Sequence, residues 1–343
     1  MISNRIKAWL LKENTLVFFF CLAVISGPAI ATLFAFDLSQ SPDCYSYLGL
    51  AHFDFAQSPV RRFRIIIPLL AAGLNYLFDG VLGKLAPAYF KGDFGLPFSF
   101  FIVNATLISY LGVLIYRYCK VYGADKFTAI LGVLAMLTCR YTAYIAGLPL
   151  VDSLFCVVVG MSLLGIKEKN TAMLLWAIFL GPFAKESFIF IAPLIFFFSH
   201  IPKTRSALYL ILSGVVVFTY RYVYEMYAPA TIVNGLAADM YHLHNLIDEL
   251  PNLLCFKGMY KLISNPWLWL GIPMLAALLA KGYWKTMKSQ LDIYLFWFMI
   301  SVMIQVLLSG SFERMFYISM PFWSVLIALS ANELKKLYMS AEK

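Results

Sequence analysis

Long apolar runs separated by short charged clusters dominate this chain. The runs cover 15–36, 98–116, 127–146, 148–166, 171–183, 188–199, 207–224, 266–280, 291–308 and 315–330. A helix needs roughly 20 apolar residues to cross a hydrocarbon core of about 30 Å. Most of the runs approach that length. Segments 171–183 and 188–199 fall short and are expected to form a tight hairpin that does not fully cross. The pattern predicts an all-α integral membrane protein with about ten transmembrane helices. One further run, 65–78, is only about 14 residues long. Arginines precede it and Asp79-Gly80 follows. It reads as an amphipathic interfacial or half-embedded helix in the first outer loop.

Composition agrees with this pattern. The 343 residues are 62% hydrophobic and 13% charged, which excludes an ordinary soluble domain. Segment 15–36 follows Arg5, Lys7 and Lys12. At about 22 residues it is longer than a signal-peptide core, so it reads as a retained first helix. Charge placement then sets orientation. With the N-terminus inside and 65–78 not crossing, sixteen of the 27 basic residues but six of the 18 acids fall in the inner segments. This is the positive-inside bias, expected of a multi-pass plasma (inner) membrane protein with cytoplasmic N- and C-termini. The net charge of +9 therefore serves orientation and does not imply a nucleic-acid partner. With no linker or internal repeat, residues 1–343 read as a single polytopic membrane domain. The longest polar-tending stretches, 37–97 and 225–265, are expected as two outer loops, so the protein is expected to work at its outer face.

Several ionisable residues are expected near helix ends on that face: Asp43, Arg61, Arg62, Arg64, Arg140, Asp152, Lys185, Glu186, Arg221, Glu225, Glu313 and Arg314. An ionised side chain at mid-membrane costs at least about 2.5–3.5 kcal/mol, so such charges must face water, a partner or a cavity. In Ser41-Pro42-Asp43 the serine suits a helix cap, the proline its first turn and the carboxylate its positive end. That geometry serves either helix stability or a fixed base at a cavity rim, with Asp37 and Asp54 as rival acids. Arg61, Arg62 and Arg64 either snorkel to lipid headgroups or grip a lipid phosphate with their guanidinium forks. Asp152 is expected one turn inside a span that starts at Pro149. Lys185 and Glu186 have each other as the simplest partners. Arg221 and Glu225 have the i, i+4 spacing of a plain helix pair, which is the favoured reading for them. Interface anchoring is the plain reading of Glu313 and Arg314.

Metal and nucleotide chemistry find little support. His242 and His244 lie near Asp239, Asp248 and Glu249, but residues two apart on a helix face different ways. No metal site is expected. The six cysteines lack metal-ligand spacing. Cys44 and Cys255 fall in the two outer loops and are the candidate disulfide pair. No phosphate-binding glycine loop, dinucleotide turn or nucleophile elbow is present.

At these residues the chain resembles the C-type superfamily of polytopic glycosyltransferases, which use polyprenyl-phosphate-linked sugars. Asp43-Cys44-Tyr45-Ser46-Tyr47 resembles the Asp-x-x-x-Tyr that opens the family's first outer loop. Residues 61–70 resemble its Arg-rich, Pro-containing interfacial helix. Pro149-Leu150-Val151-Asp152 resembles its Pro-x-x-Asp, and Ala184-Lys185-Glu186-Ser187 its basic–acidic pair between two short helices. Phe312-Glu313-Arg314 followed by Pro321 resembles a late outer Arg-and-Pro pattern. The likeness runs in order over about residues 15–330. The resemblance implies an outer-face cavity and an inverting transfer of a sugar from the lipid-linked donor to an acceptor hydroxyl. It implies Asp43 as general base, provided that partial desolvation raises its pKa. It implies Lys185, Arg314 or the Arg61–Arg64 cluster on the departing phosphate. Asp152 would orient either a sugar or a basic partner, and Glu186 would join the substrate site. No organic cofactor is implied. Family members differ in their need for a divalent cation. The chain lacks the large soluble C-terminal domain of some members, so a glycan, a lipid or a protein all stay open as acceptor. A lipid-linked oligosaccharide polymerase or ligase is the nearest alternative function, and a transporter or flippase the alternative from another class.

Overall fold

A backbone out of water must satisfy its own polar groups, and helices do this within a single segment. The computed structural model describes residues 12–58, 61–85, 95–228, 250–263, 266–309 and 312–342, and these form helices with no strand among them. The chain opens with α1 (Glu13–Ala35) and the short α2 (Pro42–Ala51). Helices α3 (Ile66–Leu85), α4 (Gly95–Val121), α5 (Lys126–Leu137), α6 (Arg140–Gly147) and α7 (Asp152–Glu168) follow. Next come α8 (Thr171–Ala184), a 3-10 turn at Glu186–Phe190, α9 (Ala192–Phe198) and α10 (Lys203–Tyr227). The remainder comprises α11 (Phe256–Ile263), α12 (Gly271–Leu279), α13 (Tyr283–Gln290), α14 (Ile293–Ser309), α15 (Phe312–Phe316) and α16 (Met320–Ala341).

Two helices form the centre. Every side chain of α7 from Asp152 to Ile166 is buried, the mark of a helix enclosed on all sides. α4 packs against it and also against α1, α3, α5, α6 and α16. α1 turns one stripe inward, Val17, Cys21, Ile25, Ala29 and Leu33, at the four-residue spacing of a helix face. Small residues allow the closest crossings. At Gly112 a side chain would collide with Cys21, and at Gly147 with the backbone of Ala29.

Among the described residues four helices are long and apolar enough to cross a membrane: Glu13–Ala35, Gly95–Val121, Lys203–Tyr227 and the run Phe312–Ala341. The number is six if each of two bent pairs, α5 with α6 and α13 with α14, makes one span. Two expected runs differ in detail. Segment 127–146 is not one helix but breaks after Leu137, and its two parts bend by 66°. Segment 148–166 does not become helical until Asp152, because Leu148 is extended and caps the end of α6. Asp152 is thus the first residue of α7 rather than a residue one turn inside it. Segments 171–183 and 188–199 are separated by Lys185 in an extended conformation, which ends α8. The apolar part of α3, Ile66–Phe78, stays shorter than a crossing.

Charges sort into two layers at opposite ends of α7. At its C-terminal end Arg117 holds Glu168, and Lys167 donates to Asp292 at 2.6 Å. Lys120 reaches Glu13 at 3.1 Å, and Lys335 holds Asp125. Asp152 marks the other end, about 24 Å away at 1.5 Å per residue. The second layer carries the site residues.

The close helix crossings give a direct check. Gly147→Val forces α6 off α1 and should cost about 1–3 kcal/mol, read as a lower Tm in detergent. Gly214→Ala, with open space around it, should leave Tm unchanged or slightly raised.

Candidate functional site

The site begins with two local devices. Ser41 caps α2, accepting from the Cys44 amide at 3.3 Å, with Pro42 in the first turn. Cys44, Tyr47, Leu50 and Ala51 are buried and fix the roll of the helix. Asp43 and Tyr47, one helical turn apart, both meet arginines of the polar layer. The second device is Asn104, buried within α4. Its Nδ2 donates to the carbonyls of Leu148 and Leu150, each at 3.0 Å, and its Oδ1 accepts from Ser153 Oγ at 2.5 Å. This clamp holds the extended strand-like entry to α7 and so sets the position of Asp152.

From these anchors runs a chain of alternating charge. Lys185 Nζ donates to Asp152 Oδ1 at 2.8 Å. Arg314 Nε and Nη2 donate to Asp152 Oδ2 at 3.1 and 2.5 Å. Nη1 of the same guanidinium pairs with Asp43 Oδ2, and Arg61 Nε pairs with Asp43 Oδ1. Both carboxylates therefore have each oxygen engaged. Exposure grows along this chain. The Asp152 and Lys185 side chains are 6% and 7% exposed, whereas Asp43 and Arg61 are 20% and 29% exposed. Asp43 thus sits at the rim of a buried network.

A second group lies beside the first. Arg64 donates to Glu186 Oε2 at 2.7 and 3.0 Å and to the Tyr47 hydroxyl at 2.9 Å. Arg221 donates to Glu186 Oε1 at 2.9 Å. Arg62, wholly buried, pairs with Glu225 and donates to the Ala228 carbonyl at 2.7 Å. Across both groups six cations share four carboxylates.

Several expected pairings change. Arg221 and Glu225 do not pair with each other, because Glu186 draws the first and Arg62 the second. Lys185 and Glu186 likewise take different partners, since the extended backbone at Lys185 sends neighbouring side chains to opposite sides. Arg314 is a half-buried bridge between two carboxylates rather than an interface anchor. The rival acids have local duties. Asp37 caps the 3-10 turn Leu38–Gln40, and Asp54 accepts from the Ala56 amide and from Gln57. Cys44 is buried and Cys255 exposed, and both are free thiols, so the candidate disulfide does not form.

The condition attached to Asp43 as a base, a carboxyl raised by desolvation, is not met in the protein as it stands. Burial raises its carboxyl, but the Arg314 and Arg61 guanidiniums outweigh burial, and it titrates below the usual carboxylate range. Glu186 behaves alike: burial raises it and Arg64 more than compensates. Among the described residues no group of three or more His, Cys, Asp or Glu is arranged to hold a metal. Asp239, His242, His244, Asp248 and Glu249 lie outside the described residues. Asp43 lines neither of two surface cavities. One, of about 530 Å³, lies on the other face of α2 against Tyr45, Leu48 and His52. The other, of about 460 Å³, lies between α8 and α10.

The structure thus brings together Asp43, Arg61, Asp152, Lys185 and Arg314, with Arg64 and Glu186 alongside. Sequence reasoning missed three contributors. Asn104 sits in an apolar run, where a lone amide was its only signal. Tyr47 appeared only as part of a pattern. Tyr141, which donates to Glu313 at 2.9 Å, carried no signal. Comparison of the chain with family models, with curated proteins and with solved structures finds no match in any of the three.

Two measurements test the network. Arg314→Met leaves two carboxylates short of a partner and should destabilise the fold by about 3–5 kcal/mol, while Asp152→Leu with Lys185→Met should cost clearly less than the sum of the single changes. Groups with depressed pKa add stability above their unfolded values and lose it as pH falls through the folded ones. For Asp43 and Glu186 that loss lies below about pH 4, so Tm should hold steady above pH 5 and drop below pH 4.

Proposed function

We propose that the protein is an inverting membrane glycosyltransferase that moves a sugar from a polyprenyl-phosphate donor to an acceptor hydroxyl. The observation that carries this reading is Asp43 held between Arg314 and Arg61 within a group whose cations outnumber its carboxylates. A surplus of guanidinium and ammonium next to a carboxylate suits a phosphate leaving group beside a proton acceptor. The order of the resembling motifs along the chain agrees with it.

The chemistry follows from competition for the same cations. The donor phosphate draws on Arg314, Arg61 and Lys185. Asp43 then loses the partners that depress its basicity, and its partly buried carboxylate becomes a better base. The acceptor O–H gives its proton to Asp43 while its oxygen forms a bond to the anomeric carbon. The bond from that carbon to the phosphate oxygen breaks, and its electron pair leaves on the polyprenyl phosphate. Attack opposite the leaving group inverts the anomeric centre. Asp152 holds Arg314 and Lys185 in place, and Arg64 with Glu186 lines the approach. The acceptor is a glycan, lipid or protein hydroxyl.

In the same reading the shorter helices join the long ones to give about ten crossings, in the manner of the C-type glycosyltransferases. Both termini are cytoplasmic, and the Asp43 layer faces outward in a plasma (inner) membrane. The sequence count supports this, since Arg117, Lys120, Lys167 and Lys335 belong to the inner segments that hold sixteen basic residues against six acids.

Asp43→Asn is the decisive substitution. It should lower sugar transfer from lipid-linked donors in membranes by about 10²–10⁴-fold with the folded protein retained. Full activity in that variant would reject Asp43 as the base.

A further inference from the structure

We propose that the cavity on the far side of α2 binds an uncharged carbohydrate, at a place separate from the Asp43 network. Binding there is independent of the transferase reading, since it needs neither Asp43 nor the arginines.

α2 has two working faces. Tyr45, Leu48, Gly49 and His52 recur at three- and four-residue spacing, so they share one face, and all four line the cavity. Asp43 lies nine positions before His52, two and a half turns, and so faces the opposite way. The cavity is thus about one helix diameter, about 10 Å, from the carboxylate. Its volume of about 530 Å³ falls within the range of small-ligand sites, about 300–1,000 Å³.

The chain after α2 folds back to bring polar groups to this cavity. Phe53 takes the left-handed conformation, φ 62°, and the Asp54 amide then donates to the Gly49 carbonyl at 2.9 Å. The reversal sets the Asp54 carboxylate and the Gln57 amide in the cavity wall. Gly49 makes room for them: a Cβ there would collide with the Gln57 amide, which donates to Asp54 Oδ2 at 2.5 Å. Asp54 Oδ1 accepts from the Ala56 amide at 3.1 Å, and each carboxylate oxygen has a further lone pair. Among the described residues Gln57 makes no other side-chain hydrogen bond, so one N–H and its carbonyl oxygen stay open to a ligand. The His52 imidazole and the Tyr45 hydroxyl likewise have no partner among the described residues.

The chemistry of the wall selects the ligand. Gln57 and a neutral His52 each carry a donor beside an acceptor, a pattern that neighbouring hydroxyls satisfy by donating and accepting at once. The remainder of the wall is apolar, with Leu38, Leu48 and Pro97, and the Tyr45 ring is 70% exposed. The negative face of an aromatic ring attracts the slightly positive C–H bonds on one face of a pyranose. A hydrocarbon chain would leave the carboxylate, amide and imidazole dry. An anion would meet the Asp54 carboxylate, and among the described residues no Lys or Arg lines the cavity. A cation would find one carboxylate already engaged by two donors. A carbohydrate offers dense hydroxyls and an apolar C–H face without a charge.

The test uses the full chain in phosphatidylcholine nanodiscs, because maltoside detergents carry a sugar head. Maltotriose, cellotriose, mannotriose and tri-N-acetylchitotriose are the probes, and saturation-transfer NMR reads which of their protons touch the protein. At least one of the four should show transfer to its ring C–H protons, with a Kd of about 1 mM or tighter. Tyr45→Ala should remove that transfer and Tyr45→Phe should keep it. Gly49→Ala displaces the Gln57 amide and should weaken the same trisaccharide about tenfold. The Tm of that variant should stay unchanged or rise, because alanine favours a helix, a pairing that structural damage does not give. Trigalacturonate, of similar size but anionic, should bind at least about tenfold more weakly than the neutral trisaccharide. Asp43→Asn should leave the Kd unchanged. Absence of transfer to all four trisaccharides would overturn the proposal, as would transfer that survives both Tyr45→Ala and Gly49→Ala. Loss of binding in Asp43→Asn would also overturn it, by moving the glycan to the reaction layer.

Discussion

Arg314 between Asp43 and Asp152 is the interaction on which the rest of the site depends. Removing charges from water costs several kcal/mol per ion, and an ion pair recovers this only with good geometry and full hydrogen bonding. That condition is met here. Asp152 gives one oxygen to Lys185 and the other to Arg314, and Asp43 gives one to Arg61 and the other to Arg314. Asp43, Asp152, Lys185 and Arg314 come from α2, α7, the end of α8 and α15, so the network ties distant parts of the chain to one point. Apolar side chains of similar volume would often be equally stable in such a position. Stability alone gives no reason to keep the charges, whereas binding an anion does.

Placing that network requires a rigid frame. α4 and α7 supply it, and Asn104 is the joint between them. It donates to the Leu150 carbonyl and adds a second bond to the Leu148 carbonyl, which also accepts from the Leu150 amide at 2.7 Å. It also delays the start of α7 until Asp152. The length of α7 then separates the site from the second charged layer, where Lys167 and Asp292 tie α7 to the start of α14. A polar tyrosine set, Tyr118, Tyr122 and Tyr294, adjoins that pair through hydrogen bonds of 2.6–2.9 Å. Both ends of the central helix are therefore pinned by polar contacts and its middle by apolar ones.

Apolar run length and charge placement made the helical membrane class legible, and also the sorting of charges to two ends. Every site residue expected from the sequence, Asp43, Arg61, Arg62, Arg64, Asp152, Lys185, Glu186 and Arg314, lies in one polar layer. Their pairings were not legible. Local spacing suggested Arg221 with Glu225 and Lys185 with Glu186, but contacts between residues more than thirty positions apart decide both cases. The net environment of Asp43 was not legible either: the two arginines that overcome its burial come from a turn eighteen residues on and from near the C-terminus. The break after Leu137 escaped for a different reason: Thr138 and Cys139 are mild interruptions in an otherwise apolar run.

The turn that carries the arginines has a mechanical consequence. The Ser58 carbonyl receives the amides of both Arg61 and Arg62, and the Arg61 carbonyl receives that of Arg64. From this one tight knot three guanidiniums reach α2 through Asp43, α10 through Glu225, and the end of α8 through Glu186. A pull on any one of these arms is transmitted to the other two through a handful of backbone bonds. The knot works as a shared anchor that holds α2, α10 and the end of α8 in fixed register with one another.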